Sequence, residues 1–395
     1  MTEDHTERLK YHVPLLFFEP ASDNASIPIN ILTDIKNRSI DRMIYLLNQQ
    51  KAYNSRVRNS SLPAISCLPP EILSQIFLDA VTEEASLKPS FSVQTVVPLR
   101  LSHVCYTWRM LALSLSEIWA SVHCRVRKGK VTAQAAFLEE WLSRSNGRLL
   151  SIRVSFEDEA LWKDSQSDVM AKAIIPHSRR WKHLDLVVPK PWFPILKHAE
   201  GKVENLESLS LRALPGIVYS SQPMVFCEAP RLRKILVKSL GLILPWTYIT
   251  SVSFYGLMTS QIFEFLKFWP HLISAKFFDL REEDFVSTES ISHATLERFS
   301  LCFPGDFSFA VDEVLDNLIL PKLRYLTLML PKHHPSPSDV IQNLILRSAC
   351  PIKSIEVGGP VLSEEDTTDL LQLSKDLVHI NNHLHPFVLL NGEDD

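Results

Sequence analysis

Leu206-Glu207-Ser208-Leu209-Ser210-Leu211 places apolar residues at its first, fourth and sixth positions, and that spacing returns along the second half of the chain. It occurs at Leu149-Ile152-Val154, Trp181-Leu184-Leu186, Leu232-Ile235-Val237, Ile249-Val252-Phe254, Leu296-Phe299-Leu301, Leu323-Leu326-Leu328 and Ile352-Ile355-Val357, with a weaker copy at Leu272-Ala275-Phe277. Successive starts are 32, 25, 26, 17, 23, 24, 27 and 29 residues apart. Helical stripes lie between them, such as Ile262-Phe263-Leu266 and Val311-Val314-Leu315-Leu318. Each unit therefore reads as a short strand, a turn, a helix and a return. One unit alone cannot bury its apolar face, so neighbours must stack into a curved parallel sheet. The expected fold class is α/β. A non-repeating α/β domain with buried strands is the alternative.

Side chains alternate along a strand, so positions 1, 4 and 6 of the template face inward or the turn, and positions 3, 5 and 7 line the other surface. That surface gathers Ser208, Ser210 and Arg212, then Lys234, Leu236 and Lys238, then Ser251, Ser253 and Tyr255. It continues with Ser274, Lys276 and Phe278, then Arg298, Ser300 and Cys302, then Tyr325, Thr327 and Met329. Cations mixed with aromatic residues are enriched at interface centres. The expected target-binding residues are Lys234, Lys238, Tyr255, Lys276, Phe278, Arg298 and Tyr325, and an acidic or aromatic-bearing peptide or protein suits them. A face capped by the protein's own loops is the other reading.

Upstream, residues 67–123 hold a second organised stretch. Leu68, Ile72, Leu73, Ile76, Phe77 and Ala80 fall on one helical stripe, with Pro69 suited to the first turn. Leu101, Val104, Cys105, Trp108, Leu111 and Ala112 predict a second amphipathic helix, and Ser116 reads as a cap before Glu117-Ile118-Trp119. Helices this short bury little, so their stripes serve a partner as well as each other. On periodicity alone the stretch is also compatible with an ordinary helical core.

The ordered set Leu68-Pro69-Pro70-Glu71-Ile72-Leu73, Ile76-Phe77, Val104-Cys105, Trp108-Arg109 and Ile118-Trp119 resembles an F-box of the form common among fungal F-box proteins. The resemblance covers about fifty residues. It implies docking to the Skp-type adaptor of an SCF (cullin–RING) ubiquitin ligase through Leu68, Pro69, Pro70, Ile72, Leu73, Ile76, Phe77, Val104, Cys105, Trp108 and Trp119. Two departures are the insert over residues 82–98 and Ser116, where a proline is usual. The repeats downstream resemble the degenerate leucine-rich repeats that follow many F-boxes. They depart at the position that holds Asn or Cys in a regular repeat, here Leu214, Leu240, Leu257, Leu280, Pro304, Pro331 and Pro360. The resemblance therefore implies an N-terminal helical F-box followed by an irregular leucine-rich-repeat-like curved solenoid with a parallel sheet.

Bulk composition narrows the function classes. Of 395 residues, 46% are hydrophobic and 22% charged, the balance of a globular chain. A net charge of −4 gives no general pull toward nucleic acid, and Arg125-Val126-Arg127-Lys128-Gly129-Lys130 lacks aromatic interleaving and reads as a solvated turn. Only ten glycines occur, and only Gly358-Gly359 are adjacent, so no phosphate-cradling loop is expected. The six cysteines have no close pairs and read as reduced thiols. No stretch has the length of a membrane span or a signal core, which predicts a cytoplasmic or nuclear protein.

Catalytic motifs are absent. His333-His334 lies in a Pro/Ser loop; His379 and His383 stand four apart without a Cys or Glu at ligand spacing and read as a surface face. Ser363 before Glu364-Glu365-Asp366 reads as a helix cap with first-turn carboxylates. No cofactor or metal is expected. The domain plan is a flexible arm over 1–30, an amphipathic helix over 31–63, the F-box domain over 64–130, the substrate-recognition repeats over 131–360, and a C-terminal helix with an acidic tail over 361–395. The expected function is that of a non-enzymatic substrate-recognition subunit, with the adaptor, through it cullin, and an unidentified target protein as partners, and neither nucleic acid nor membrane. An adaptor-binding scaffold acting outside the ligase is the alternative.

Overall fold

The computed structural model describes residues 29–60, 68–87, 97–156, 167–189, 192–212, 224–225, 228–237, 242–243, 246–280, 290–303, 309–331, 335–359 and 362–381. They belong to two units, Met1–Cys67 and Leu68–Asp395. The first unit contains one long helix, α1 (Ile29–Ser60), close to the span its apolar periodicity predicts. The arm expected over 1–30 lies, up to residue 28, outside the described residues.

The second unit opens with α2 (Pro70–Leu87). Pro70 takes the first helical position, one residue later than expected, and the Pro69 carbonyl accepts from the Ile72 and Leu73 amides at 3.1 Å each. The helix runs on to Leu87, into the stretch expected to be an insert, the remainder of which includes residues outside the described set. The single helix expected over 101–112 is two, α3 (Val97–Ser102) and α4 (Tyr106–Ser114). The break has a local cause: Cys105 is extended, with φ −153° and ψ 176°, and its Sγ accepts from the Trp108 amide at 3.5 Å, starting a new helix. Ser116 is not a cap. It begins a 3-10 turn, Ser116–Trp119, and its hydroxyl donates to Glu117 Oε2 at 3.3 Å, while Arg148 engages both residues.

From there strands and helices alternate. In chain order they are β1 (Ser121–Val126), α5 (Val131–Arg144), β2 (Leu150–Phe156), α6 (Asp168–Ile174), β3 (Trp181–Val187), α7 (Phe193–Leu196) and β4 (Ser208–Arg212). Then come β5 (Met224–Val225), β6 (Lys234–Val237), β7 (Leu242–Ile243), β8 (Ser251–Tyr255), α8 (Thr259–Phe268), β9 (Ser274–Phe278), β10 (Ile291–Ser292) and β11 (Arg298–Cys302). The chain continues with α9 (Phe309–Asp316), β12 (Leu318–Ile319), β13 (Tyr325–Met329), α10 (Ser338–Ser348), β14 (Ser354–Gly358), α11 (Glu364–Leu373) and β15 (His379–Asn381). Eleven strands form one parallel sheet in the order β1-β2-β3-β4-β6-β8-β9-β11-β13-β14-β15. The sheet is open, and each strand pairs with the next sheet strand along the chain. Two short parallel pairs, β5–β7 and β10–β12, lie in the connections.

All nine copies of the spacing, the weak one at Leu272 included, supply strands of this sheet. Two more strands extend it. β1 starts the sheet ten residues before the predicted start of the repeats at 131, and β15 continues it past 361, where only a helix and a tail were expected. The turn expected over 125–130 is correspondingly shorter, since Arg125 and Val126 end β1.

Burial explains the arrangement. Positions 4 and 6, such as Leu209 and Leu211 or Leu326 and Leu328, are buried in a continuous core that also contains the stripes of α5 (Leu138, Trp141, Leu142), α8 (Ile262, Phe263, Leu266) and α10 (Ile341, Leu344, Ile345). Phe254 of β8 stacks on Phe265 of α8 at 5.1 Å, so this helix packs on the apolar face. Two of the residues that replace the regular repeat's asparagine turn inward, Leu257 and Leu280, both buried in the same core, while Leu214, Leu240, Pro304 and Pro360 lie outside the described residues. The C-terminal cap is as the sequence predicts, with Ser363 Oγ accepting from the Asp366 amide and the Asp366 carboxylate accepting from the Ser363 amide, both at 3.0 Å.

Candidate functional site

Two surfaces carry the residues singled out by sequence. On α2 the apolar stripe divides. Leu73 and Phe77 point into the protein and are buried, while Leu68, Ile72 and Ile76 remain 37%, 49% and 42% exposed. Val104, between α3 and α4, is 53% exposed, and Tyr106, Met110 and Leu113 of α4 are exposed as well. The last three were not singled out, because in the sequence an outward apolar residue looks the same as an inward one.

The inward residues are supports. Trp108 packs edge-on against Phe77, with ring centroids 4.9 Å apart. Trp119 is fully buried: its Nε1 donates to the Ala112 carbonyl at 2.7 Å, its ring meets Trp141 of α5 at 4.7 Å, and Arg144 lies over it at 4.7 Å. Leu73, Phe77 and Trp119 therefore hold the helices to one another and to the sheet. Their burial leaves direct contact with a partner to Leu68, Ile72, Ile76 and Val104, beside the exposed Pro69 and Pro70.

The second surface is the polar face of the sheet. Register places the odd template positions in rows across the strands: Ser208, Lys234, Ser251, Ser274, Arg298 and Tyr325 form one, and Ser210, Leu236, Ser253, Lys276, Ser300 and Thr327 the next. Lys234 is exposed, Lys276 and Arg298 are half-buried, and the Arg298 guanidinium lies 5.0 Å from the Tyr325 ring centroid. Lys238 lies outside the described residues. Phe278 requires a correction, because it is 4% exposed and stacked on Tyr255 at 4.7 Å. It backs Tyr255 rather than facing outward. Ser300, Thr327 and Met329 are likewise buried, so the outer face is closed toward that end. Burial pushes the Tyr255 phenol up to about 12.

A cluster at the other end escaped the sequence reading. Asp185 of β3 sits between two guanidiniums, 2.7 Å from Arg153 Nε on β2 and 2.6 Å from Arg212 Nη2 on β4, and accepts from Ser210 Oγ at 2.9 Å. His123 and Arg125 lie on β1, two strands from Asp185, with the His123 Nε2 3.3 Å from Ser155 Oγ. Burial, then Arg153, push the His123 imidazole down to about 4, against the pull of Asp185, so it is neutral at pH 7. The spacing Trp119-Val122-Cys124, read as another copy of the template, finds β1 and with it His123 and Arg125. Positions 5 of the copies at 149 and 181 give Arg153 and Asp185.

Among the described residues no group of three or more His, Cys, Asp or Glu is placed to hold a metal ion. Histidines 333, 334, 383 and 385 lie outside the described set, and His379 is on a strand, so it forms no helical pair with His383. No helix among the described residues is long and apolar enough to cross a membrane. The chain is an α/β protein built on a large open parallel sheet with helices on its apolar face. No family model and no curated protein matches it.

Proposed function

We propose that this protein is an F-box protein serving as the substrate-recognition subunit of an SCF (cullin–RING) ubiquitin ligase. In this reading α2 to the 3-10 turn form the F-box, and the nine spaced units with their two flanking strands form an irregular leucine-rich-repeat-like solenoid that holds a target. The observation that carries it is the divided stripe of α2. Leu73 and Phe77 are consumed by the protein's own core, yet Leu68, Ile72, Ile76 and Val104 stay open to solvent. Several large apolar residues left together on one small helical module mark an interaction surface. These positions coincide with the motif resemblance, which names a Skp-type adaptor as the occupant.

The chain itself would do no chemistry. Ubiquitin transfer would be promoted by holding the target beside the charged enzyme, since confinement of two reactants removes much of the entropic barrier. The test is reconstitution from purified components. The chain should form a stable complex with the adaptor and, through it, recruit cullin. No complex with the adaptor refutes the F-box assignment; adaptor binding without cullin recruitment supports a scaffold outside the ligase.

A further inference from the structure

Helix α1 lies in a unit of its own and carries an apolar stripe that neither surface above uses. From Thr33 to Arg58 every side chain is exposed except Ser39, which is half-buried. Ile40, Met43, Ile44, Leu46, Leu47 and Tyr53 are each 44–63% exposed. Helices in proteins owe most of their stability to packing of an amphipathic face, so six large apolar side chains left open on one helix call for a cover.

Their spacing has a seven-residue register. With Ile40, Leu47 and Asn54 at position a, Met43, Gln50 and Val57 take d, while Ile44, Leu46, Lys51 and Tyr53 take the flanking e and g. The outer positions hold Asp41, Arg42, Asn48, Gln49 and Ala52, together with Tyr45, whose hydroxyl accepts from Gln49 Nε2 at 2.9 Å. Lys36 occupies the preceding d position and ends the seam there, since a second copy would set like charges face to face.

We propose that α1 pairs with α1 of a second copy of this chain as a short, parallel, two-stranded coiled coil. The polar pair inside the stripe selects that occupant. Gln50 Nε2 donates to Asn54 Oδ1 at 3.0 Å, a bond that uses only part of what two amides can donate and accept. A bilayer, or an apolar groove on another protein, would bury the remaining donors and acceptors without partners. A parallel, in-register copy sets Asn54 against Asn54 and Gln50 against Gln50, and an amide is its own complement. Lys51 then faces Leu46 of the other copy, which covers the lysine stem and carries no like charge. This inference goes beyond the recognition reading and stands without it.

Sedimentation of the full chain over a concentration series reads the mass, which should pass from monomer to dimer. Leu47→Glu, at an exposed position, should melt like the parent and stay monomeric. Asn54→Ile should dimerise at about tenfold lower concentration, because the amide that fixes register also costs stability. On a solvated helix the same change would leave the mass unaltered. Asn54→Cys should give an interchain disulfide under mild oxidation that the parent does not, since only a parallel, in-register pair brings those positions together. A parent that stays monomeric throughout overturns the proposal, as does a Leu47→Glu protein that still dimerises or an Asn54→Cys dimer that does not crosslink. A monomeric parent that floats with phosphatidylserine vesicles, and a Leu47→Glu protein that does not, would assign the stripe to a membrane surface and overturn it as well. Leu47→Glu should bind the adaptor as the parent does, so failure of the dimer and failure of the F-box assignment are read separately.

Discussion

Replacing Ile72 and Ile76 with alanine should separate docking from folding. The two side chains are 49% and 42% exposed, so a partner seated on α2 would remove about half of each from water. Full burial of an isoleucine is worth about 1.5–3 kcal/mol, and half of it about 1 kcal/mol. The pair therefore contributes about 2 kcal/mol to docking, and its loss should weaken adaptor binding about thirtyfold. The cost to the fold is smaller, under about 1 kcal/mol per site, and alanine's better helix propensity offsets part of it. Phe77→Ala should behave oppositely. Its ring is fully buried against Trp108, and truncation should cost about 3–5 kcal/mol of stability. Calorimetric titration with purified adaptor, paired with thermal melting of each variant, reads both quantities. A double alanine variant that melts like the parent and binds within about threefold of it would refute the assignment of the outward face as the dock.

Three further outcomes follow from the geometry. His123 titrates at 6.5 when unfolded and about 4 when folded, so the unfolded chain binds more protons between those values and stability should fall as pH drops through that window. With allowance for partial exposure the loss is about 1–2 kcal/mol, and His123→Gln should flatten it in denaturant melts between pH 7 and 4. Gly359 has φ +107°, and a Cβ there would lie 2.1 Å from the Leu330 carbonyl oxygen, so Gly359→Ala should cost about 3 kcal/mol, against about 1 kcal/mol for Gly129→Ala, whose Cβ meets nothing within 4 Å. The Asp366 carboxyl is held below its ordinary value of 3.8 chiefly by the Ser363 amide, so the start of α11 should loosen as pH falls below about 4. Hydrogen exchange there should lose this dependence in Asp366→Asn, which removes the titrating carboxyl.

The large sheet was legible because its cause is local and repeated. Each unit must turn two or three apolar side chains to one face, and a period of two with a fixed offset records that directly. β1 and β15 were missed for different reasons. In β1 the third apolar position is Cys124, and the strand follows at once on the helical segment α2 to the 3-10 turn. β15 is three residues long and has no complete copy of the pattern. Helical periodicity also ran through the break at Cys105, because a 3–4 spacing is insensitive to a capped interruption that keeps phase. The division of α2 into an inward and an outward half was not legible, since Phe77 and Ile76 are both apolar and only packing tells them apart. The Asp185 cluster needed register, because its members come from different strands far apart in sequence.

The joint between helices and sheet has a mechanical consequence. The 3-10 turn passes into β1 through the single residue Ala120, and Trp119 on one side is locked to Trp141 on the other. A flexible tether lets its ends wander by about 5–6 Å times the square root of its length, but here there is no tether to wander. Helices α2 to α4 and the polar face thus behave as one bracket with a fixed angle. In a device that acts by confinement, such a bracket raises the local concentration of whatever lies along one line of sight and leaves everything else out of reach. A captured target would then be marked according to where its lysines stand relative to that line. Inserting a few glycines after Ala120 should broaden the set of lysines modified while slowing each.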